Sequence, residues 1–532
     1  MKKFIVFGLG ISGNPAVKFL LKQGYEVIAG DDNKSSLDSL NKYLEEHQDL
    51  KSHLKIVDNI ESIDWKNAEC LVLAAGIPLK YPTPHKIALA ANQKNCPIIC
   101  DVEILYLFNN QAKFIGITGT NGKSTTTALT GHIFESTKKP YAVGGNIGTG
   151  ALALPKLNAD ENYIIEMSSY QLDLTVKTRF HIANLLNITP DHLDRHKDMN
   201  GYIAAKKRIF MNQTKDDFAI IDVDNVNSKM VYEELKNDQN FQATLIPISN
   251  KYVVDSGISM IGDIIYNNIN YSPPSFAKEN ILANSLPLNR GNISPPSFAK
   301  ENILANSLPL NRGSIEPPSF AKENILANSL PLDRGNITKT ESVIDLGIRQ
   351  FLKGEHNSQN IAFAFANCFL SGISEEQIIA AIKTFKGLRH RMQLVANING
   401  INFINDSKAT NAESTQNALK TYNNIYWILG GKPKDGGISS LEQYFSKIKY
   451  AFLIGDATEE FAKTLGNKVE YFKCGDLKTA FEMAYNLALK DQSQEKNILL
   501  SPACASFDQW KNFEQRGDFF CELTKRIIDT VS

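Results

Sequence analysis

Phe114-Ile115-Gly116-Ile117-Thr118-Gly119-Thr120-Asn121-Gly122-Lys123-Ser124-Thr125-Thr126-Thr127-Ala128-Leu129-Thr130 passes from an apolar strand through a glycine-rich turn into the start of a helix. Backbone N–H groups of such a turn, together with the positive end of the helix dipole, cradle an anion. Lys123 is placed to reach terminal phosphates, and the Ser124 hydroxyl to hold Mg²⁺. The full pattern G-x-x-x-x-G-K-[ST] asks for its first glycine at position 117, where Ile stands. The loop is therefore the shorter G-T-N-G-K-S form, and chemistry driven by a nucleotide is the leading reading.

Outward from this loop, strand-like runs alternate with helical stretches, as in parallel α/β layers. Upstream, Phe4-Ile5-Val6-Phe7 leads into Gly8-Leu9-Gly10-Ile11-Ser12-Gly13, a G-x-G-x-x-G turn, and Tyr25-Glu26-Val27-Ile28-Ala29 resumes as strand. Asp31 and Asp32 stand where such a unit places a carboxylate for a ribose hydroxyl, so NAD, another diphosphate or a purely structural turn all fit. Downstream come Asn162-Tyr163-Ile164-Ile165-Glu166, Ala183-Asn184-Leu185-Leu186-Asn187 and Phe218-Ala219-Ile220-Ile221. A further series, with Tyr426-Trp427-Ile428-Leu429, Ala451-Phe452-Leu453-Ile454 and Asn497-Ile498-Leu499-Leu500, begins near Leu388. Three successive α/β modules are the natural division.

The 532 residues suit roughly three or four domains. Lys plus Arg and Asp plus Glu both total 57, so no basic field favours nucleic acid. No apolar run reaches the ~18 residues of a membrane span, and the apolar start breaks at once into glycines, which reads as a strand rather than a signal peptide. Seven cysteines, odd in number and without a C-x-x-C pair, suit reduced thiols in a cytoplasm.

Pro273-Pro274-Ser275-Phe276-Ala277-Lys278-Glu279-Asn280-Ile281-Leu282 recurs from Pro295 and again from Pro317, a 22-residue period in near-identical copies. Functional solenoids diverge and carry caps, so these copies read as a duplicated surface excursion at about 272–338. Its flanks, Asp263-Ile264-Ile265-Tyr266 and Ser342-Val343-Ile344-Asp345-Leu346, are expected to pair as a hairpin across the insert.

Chemistry-bearing side chains gather at strand ends. Glu166 closes an apolar strand, where a metal ligand belongs, and Asp191-His192-Leu193-Asp194-Arg195-His196 follows another. With Ser124 nearby, Glu166 and His192 point to metal or phosphate contact, and hard oxygen donors favour Mg²⁺ over zinc. Asn405-Asp406-Ser407-Lys408-Ala409-Thr410-Asn411, preceded by Arg389-His390-Arg391, suits a carboxylate or phosphate substrate. Ser501-Pro502-Ala503-Cys504-Ala505-Ser506-Phe507-Asp508 follows a last strand, and Cys504 has no local base to make it a nucleophile.

Taken together, G-T-N-G-K-S-T-T, G-G-N-I-G at 144–148, E-M-S-S-Y-Q-L, D-H-L-D-R-H, A-A-K-K-R-I-F at 204–210, G-E-H-N at 354–357, H-R-M at 390–392, N-D-S-K-A-T-N and S-P-A-C-A-S-F-D-Q-W-K-N-F-E-Q-R-G resemble the Mur ligases. The likeness spans the chain apart from about 272–338. It implies a Rossmann-like UDP-binding domain over 1–100, a central P-loop ATPase-type domain over 101–387 and a Rossmann-like C-terminal domain over 388–532. It implies an ATP-dependent amide ligase of peptidoglycan precursor synthesis, and the last two motifs look like those of the member that adds D-glutamate to UDP-N-acetylmuramoyl-L-alanine. Another ligase of the superfamily, such as a folylpolyglutamate type, is the alternative.

By that resemblance Gly119, Thr120, Asn121, Gly122, Lys123, Ser124 and Thr125 bind ATP, joined by Asn357, Asn360, Arg391 and Asp406. Two Mg²⁺ sites are implied, one held by Ser124 and Glu166, the other by His192 and a carbamylated Lys206. Asn146 contacts substrate or phosphate, and Lys408 is the phosphate-proximal lysine. Thr410, Lys434, Ser506 and Phe513 match the positions that take D-glutamate. Ile11, Ser12, Asp31 and Gly76 match those that take the uridine diphosphate, although the family's S-P-G turn is Ala74-Ala75-Gly76 here. A cytoplasmic monomer is expected.

Overall fold

The computed structural model describes residues 2–270, 342–346, 352, 354–433 and 436–531. The three repeat copies and Lys434 lie outside the described residues. The chain forms two compact units, one of Met1–Met260, Ile265–Ile344 and Ala362–Ser374, the other of Ile261–Ile264, Asp345–Ile361 and Glu375–Ser532.

The first unit holds two sheets. Phe4, Ile5 and Val6 are wholly buried, as a continuous apolar run demands of a strand covered on both faces. They belong to β1 (Lys3–Phe7), which joins β2 (Glu26–Gly30), β3 (Leu54–Val57), β4 (Ala68–Leu73) and β5 (Ile98–Ile99) in the parallel order β3-β2-β1-β4-β5. The order reverses between β1 and β4, so the crevice beyond their carboxyl ends is the ligand position of this sheet. Gly8, at φ +91°, opens the turn there, and a Cβ on Gly13 would stand 1.9 Å from the Gly8 carbonyl oxygen. These two glycines are required by the backbone itself.

The second sheet comprises β6 (Lys113–Thr118), β7 (Tyr141–Gly145), β8 (Asn162–Glu166), β9 (Ile182–Leu185), β10 (Phe218–Asp222), β11 (Thr244–Ser249), β12 (Ile258–Ile261), β13 (Ile264–Asn267) and β14 (Ser342–Asp345). Its order is β14-β13-β12-β11-β10-β9-β6-β8-β7, parallel from β7 through β12. The central β6 carries the glycine-rich turn on its carboxyl end. β13 and β14 are neighbours, so the two flanks of the repeat do pair.

In the second unit, β15 (Gln393–Ile398), β16 (Ile401–Asn405), β17 (Ile425–Gly430), β18 (Ile448–Ile454), β19 (Tyr471–Gly475) and β20 (Lys496–Leu500) take the order β15-β16-β20-β17-β18-β19. Only the edge strand β15 runs antiparallel. The three sheets are the α/β architecture expected of the sequence. No helix of the described residues is long and apolar enough to cross a membrane.

Candidate active site

The glycine-rich turn is braced from β9's exit. Thr120 N donates to Asn187 O at 2.9 Å, Asn121 N donates to Asn187 Oδ1 at 2.8 Å, and Thr120 Oγ1 donates to Thr189 O at 3.1 Å. Gly122, at φ +87°, turns the chain into the helix Lys123–Ser136, a conformation closed to side-chain-bearing residues at little cost. Lys123 Nζ folds back over the turn and donates to the carbonyls of Gly119 and Thr120, both at 2.8 Å. Phosphate oxygens, which carry full charge, bind an ammonium more strongly than these neutral carbonyls do.

Glu166 ends β8 beside this turn, with Ile117 of β6 opposite it on one side and Gly145 of β7 on the other. Asn146 grips it twice, donating from its backbone N–H to Glu166 O at 2.9 Å and from Nδ2 to Oε1 at 3.0 Å. The second carboxylate oxygen, Oε2, is buried with no hydrogen-bond partner among the described residues. Such an atom is costly unless a cation takes it, so the residues fit a hard divalent ion. No group of three or more His, Cys, Asp or Glu side chains with metal-binding geometry occurs among the described residues, so an ion here would draw on the Ser124 hydroxyl and phosphate oxygens as well.

Lys206 sits under the same turn, 2% exposed on the helix Met199–Lys207. Its Nζ donates to Gly119 O at 2.8 Å, the carbonyl that Lys123 also uses, and lies 4.7 Å above the Tyr202 ring. Burial, and then the charge of Lys123, hold its pKa well below the ordinary lysine range. His192, in a left-handed conformation at φ +54°, caps the short helix Leu193–His196 with Nε2 3.4 Å from Asp191 Oδ2. Burial lowers its pKa; Asp191 opposes that, while Lys123 and Lys206 reinforce it. Lys123, Asn146, Glu166, His192 and Lys206 are thus gathered at one end of one sheet.

At the first sheet's crevice, Ile11 is 72% exposed. A Cβ on Gly150 would meet Ile11 O at 2.4 Å, so the loop that carries Asn146 closes against this turn. Asp31 is engaged by the backbone: its carboxylate accepts from Leu9 N and, at 2.7 Å, from Asn33 N. It fastens the glycine turn to the end of β2. Gly76 follows β4, and its carbonyl accepts from Arg195 Nη1 at 2.9 Å.

In the second unit, loops leaving β16, β17 and β20 converge. Asp406 N donates to Leu500 O at 2.7 Å, and Ser501 Oγ and Met392 N donate to the Asp406 carboxyl at 2.8 and 3.1 Å. Burial pushes that carboxyl up to about 7, against these bonds and the Arg391 charge. Lys408 Nζ lies 5.4 Å over the Phe513 ring, and Thr410 N donates to Lys408 O at 2.9 Å. Ser506 is buried, its carbonyl accepting from Trp510 N at 2.8 Å. Asn357 and Asn360, one turn apart at the start of the helix Glu355–Leu370, are joined by a 3.1 Å side-chain bond.

Sequence reasoning missed Arg516. It is 1% exposed and donates to Ser407 Oγ at 3.0 Å, Ser407 O at 2.9 Å and Cys504 O at 3.2 Å, so it fastens the Lys408 loop to the Ser506 loop. The sign of it was an arginine inside Phe513-Glu514-Gln515-Arg516-Gly517, where Gly517 leaves room that a Cβ, 2.2 Å from His390 Nδ1, would fill. Tyr170 and Arg195 were missed as well.

Residues 117–271 match the family described as Mur ligase middle domain, and residues 390–504 that described as Mur ligase, glutamate ligase domain. The chain is 38% identical to the UDP-N-acetylmuramoylalanine--D-glutamate ligase of Rickettsia felis, over 100% of its own length and 98% of the relative's. It is 37% identical to the enzyme of the same name from Paramagnetospirillum magneticum, over 98% and 96%. Its fold is similar to that of the UDP-N-acetylmuramate-alanine ligase MurC from Thermotoga maritima, with a TM-score of 0.52 at 13% identity over 99% of both chains. The chain belongs to the Mur ligase family.

Proposed function

We propose that this chain is the ATP-dependent ligase that joins D-glutamate to UDP-N-acetylmuramoyl-L-alanine in peptidoglycan precursor synthesis. The observation that carries the reading is the likeness to D-glutamate ligases along the whole chain, joined to a phosphate turn that faces an unpaired buried carboxylate oxygen. A free carboxylate is a poor acceptor for an amine. ATP first converts the L-alanyl carboxylate to an acyl phosphate, and the D-glutamate amine then displaces phosphate through a tetrahedral intermediate.

In this reading Gly119 to Thr125 cradle the phosphates, and Lys123 leaves its two carbonyls for the transferred phosphoryl group. Bound Mg²⁺ would neutralise the charge that builds there. Ser124 and Glu166 would hold one ion. His192 and Lys206 would hold the second, once the Lys206 amine has added to the carbon of CO₂ and lost a proton, which turns a repelling ammonium into an oxygen donor. Asn146 keeps Glu166 Oε1 fixed and faces substrate. Asn357, Asn360, Arg391 and Asp406 would meet the nucleotide. Lys408, Thr410, Ser506 and Phe513, with Lys434 outside the described residues, would take D-glutamate. Ile11, Ser12, Asp31 and Gly76 would take the uridine diphosphate. Domain limits near 100 and 388, a monomeric state and a cytoplasmic site complete the proposal.

The test is substrate dependence. ADP release should require both UDP-N-acetylmuramoyl-L-alanine and D-glutamate, and oxygen label in the alanyl carboxylate should pass to orthophosphate. Equal turnover with L-glutamate, meso-diaminopimelate or a folate would refute the substrate assignment, and unlabelled phosphate would refute the acyl phosphate.

A further inference from the structure

Three side chains from one helical turn meet a single aromatic ring. His192 lies 5.0 Å from Tyr170, centroid to centroid, His196 stacks on the same ring at 5.5 Å, and the Arg195 guanidinium carbon stands 4.4 Å above it. From this perch Arg195 Nη1 donates to Gly76 O at 2.9 Å and Nη2 donates to Ala75 O at 3.4 Å. Those two carbonyls belong to the turn after β4, at the reversal point of the first sheet. Backbone bonds close this turn, Ala74 N donating to Phe7 O and Ile77 N to Ala74 O, both at 3.0 Å, and Arg195 holds the two carbonyls between them. Ala74-Ala75-Gly76 lacks proline and hydroxyl, and a Cβ on Gly76 would meet nothing within 4 Å. A planar guanidinium can lie flat on a ring and bridge two successive carbonyls at once; an ammonium cannot do both.

We propose that Arg195 is a positioning residue: it seats the Ala75-Gly76 turn for the UDP-linked substrate and, through Tyr170, ties that seating to His192 in the metal cradle. The inference rests on the reading of Gly76 as a substrate contact and His192 as a metal ligand. Its consequence is mutual: the UDP-linked substrate and Mg²⁺ tighten each other's binding, by the same factor in both directions.

The experiment compares full-length wild type with Arg195→Met, Arg195→Lys and Tyr170→Leu. It measures KM for each substrate and, by calorimetry without turnover, the Kd of UDP-N-acetylmuramoyl-L-alanine with and without Mg²⁺ and the Kd of Mg²⁺ with and without that substrate, the two ratios giving the linkage. Arg195→Met should raise KM for the UDP-linked substrate about tenfold, the worth of one charge-assisted bond, with KM for D-glutamate unchanged and the dependence on Mg²⁺ no longer linked to the substrate. Arg195→Lys should recover part of the affinity but none of the linkage, and Tyr170→Leu should lose the linkage while keeping most of the affinity. A wild-type KM in Arg195→Met, or a parallel rise in all three KM values, overturns the proposal. If Arg195→Met does not fold, the other two variants decide: retained linkage in both overturns it. A wild type without D-glutamate-dependent turnover would instead sink the assigned reaction.

Discussion

At Lys206, burial and the neighbouring Lys123 ammonium act in the same direction, so the free amine is within reach of CO₂. Stripping CO₂ from the buffer should lower turnover and bicarbonate should restore it, whereas Lys206→Ala should be insensitive to both. Equal rates in stripped and bicarbonate-supplied buffer would leave no role for the carbamate. Lys123→Ala should cut turnover by ~10²–10³-fold while calorimetric binding of the UDP-linked substrate persists, because its ammonium serves only the phosphoryl group. Unchanged turnover would end the phosphate role. Asp406 makes a prediction in pH. Burial raises its folded pKa to about 7, above the ordinary value of 3.8, so the folded state binds the extra proton between the two. Stability from this carboxyl is fully present below 3.8 and is lost as pH rises through about 7. The wild type should therefore lose stability relative to Asp406→Asn across that window, by up to ~1.4 kcal/mol per pH unit. A difference in melting temperature that stays flat from pH 4 to pH 7 would contradict the burial argument.

The elements explain which of these residues were legible in the sequence. Lys123, Glu166 and His192 each sit within a few residues of a strand's carboxyl end, and an apolar run followed by a polar residue is visible without a structure. Their convergence follows because β6, β8 and β9 are adjacent and parallel, which puts all three ends on one edge. Arg516 follows no strand end, and the arginine before Gly517 gave no hint of its partners. Its partner Ser407 is 109 residues away, and only the packing of the helix Phe513–Val531 against the third sheet brings them together. For Asp31 the position after β2 was legible in the sequence, while the backbone N–H groups of Leu9 and Asn33 that donate to its carboxylate were not. The loops of the second unit also depend on Gly431, at φ +131°, where a Cβ would stand 2.3 Å from Ala505 O and 3.2 Å from Arg516 Nη1. Gly431→Ala should destabilise by ~2 kcal/mol or more and raise KM for D-glutamate, because the strain falls on the Ser506 loop itself. A wild-type melting curve would show that the turn relaxes at no cost.

For the whole chain, the question is how a catalyst tolerates three near-identical 22-residue copies in its central region. The sheet order supplies the answer. β13 ends at Asn267 and β14 begins at Ser342, and the two are neighbours at the edge of the nine-stranded sheet, separated from β6 by four strands. The insertion thus opens a connection between neighbouring strands at the far edge of the sheet, with β9, β10, β11 and β12 between it and the strand that carries the phosphate turn. Closing a longer loop costs entropy that rises only with the logarithm of its length, about 0.6 kcal/mol per doubling, so the edge pair can survive the added copies. Removing residues 272–338 and joining the flanks with a short turn should keep kcat and all three KM values within about twofold, and should leave the melting temperature the same or slightly higher. If turnover collapses while the shortened chain stays folded, the copies take part in the reaction; if the chain unfolds, they are part of the central fold. Either result would overturn the reading of the repeat as a duplicated excursion carried by a pre-existing hairpin.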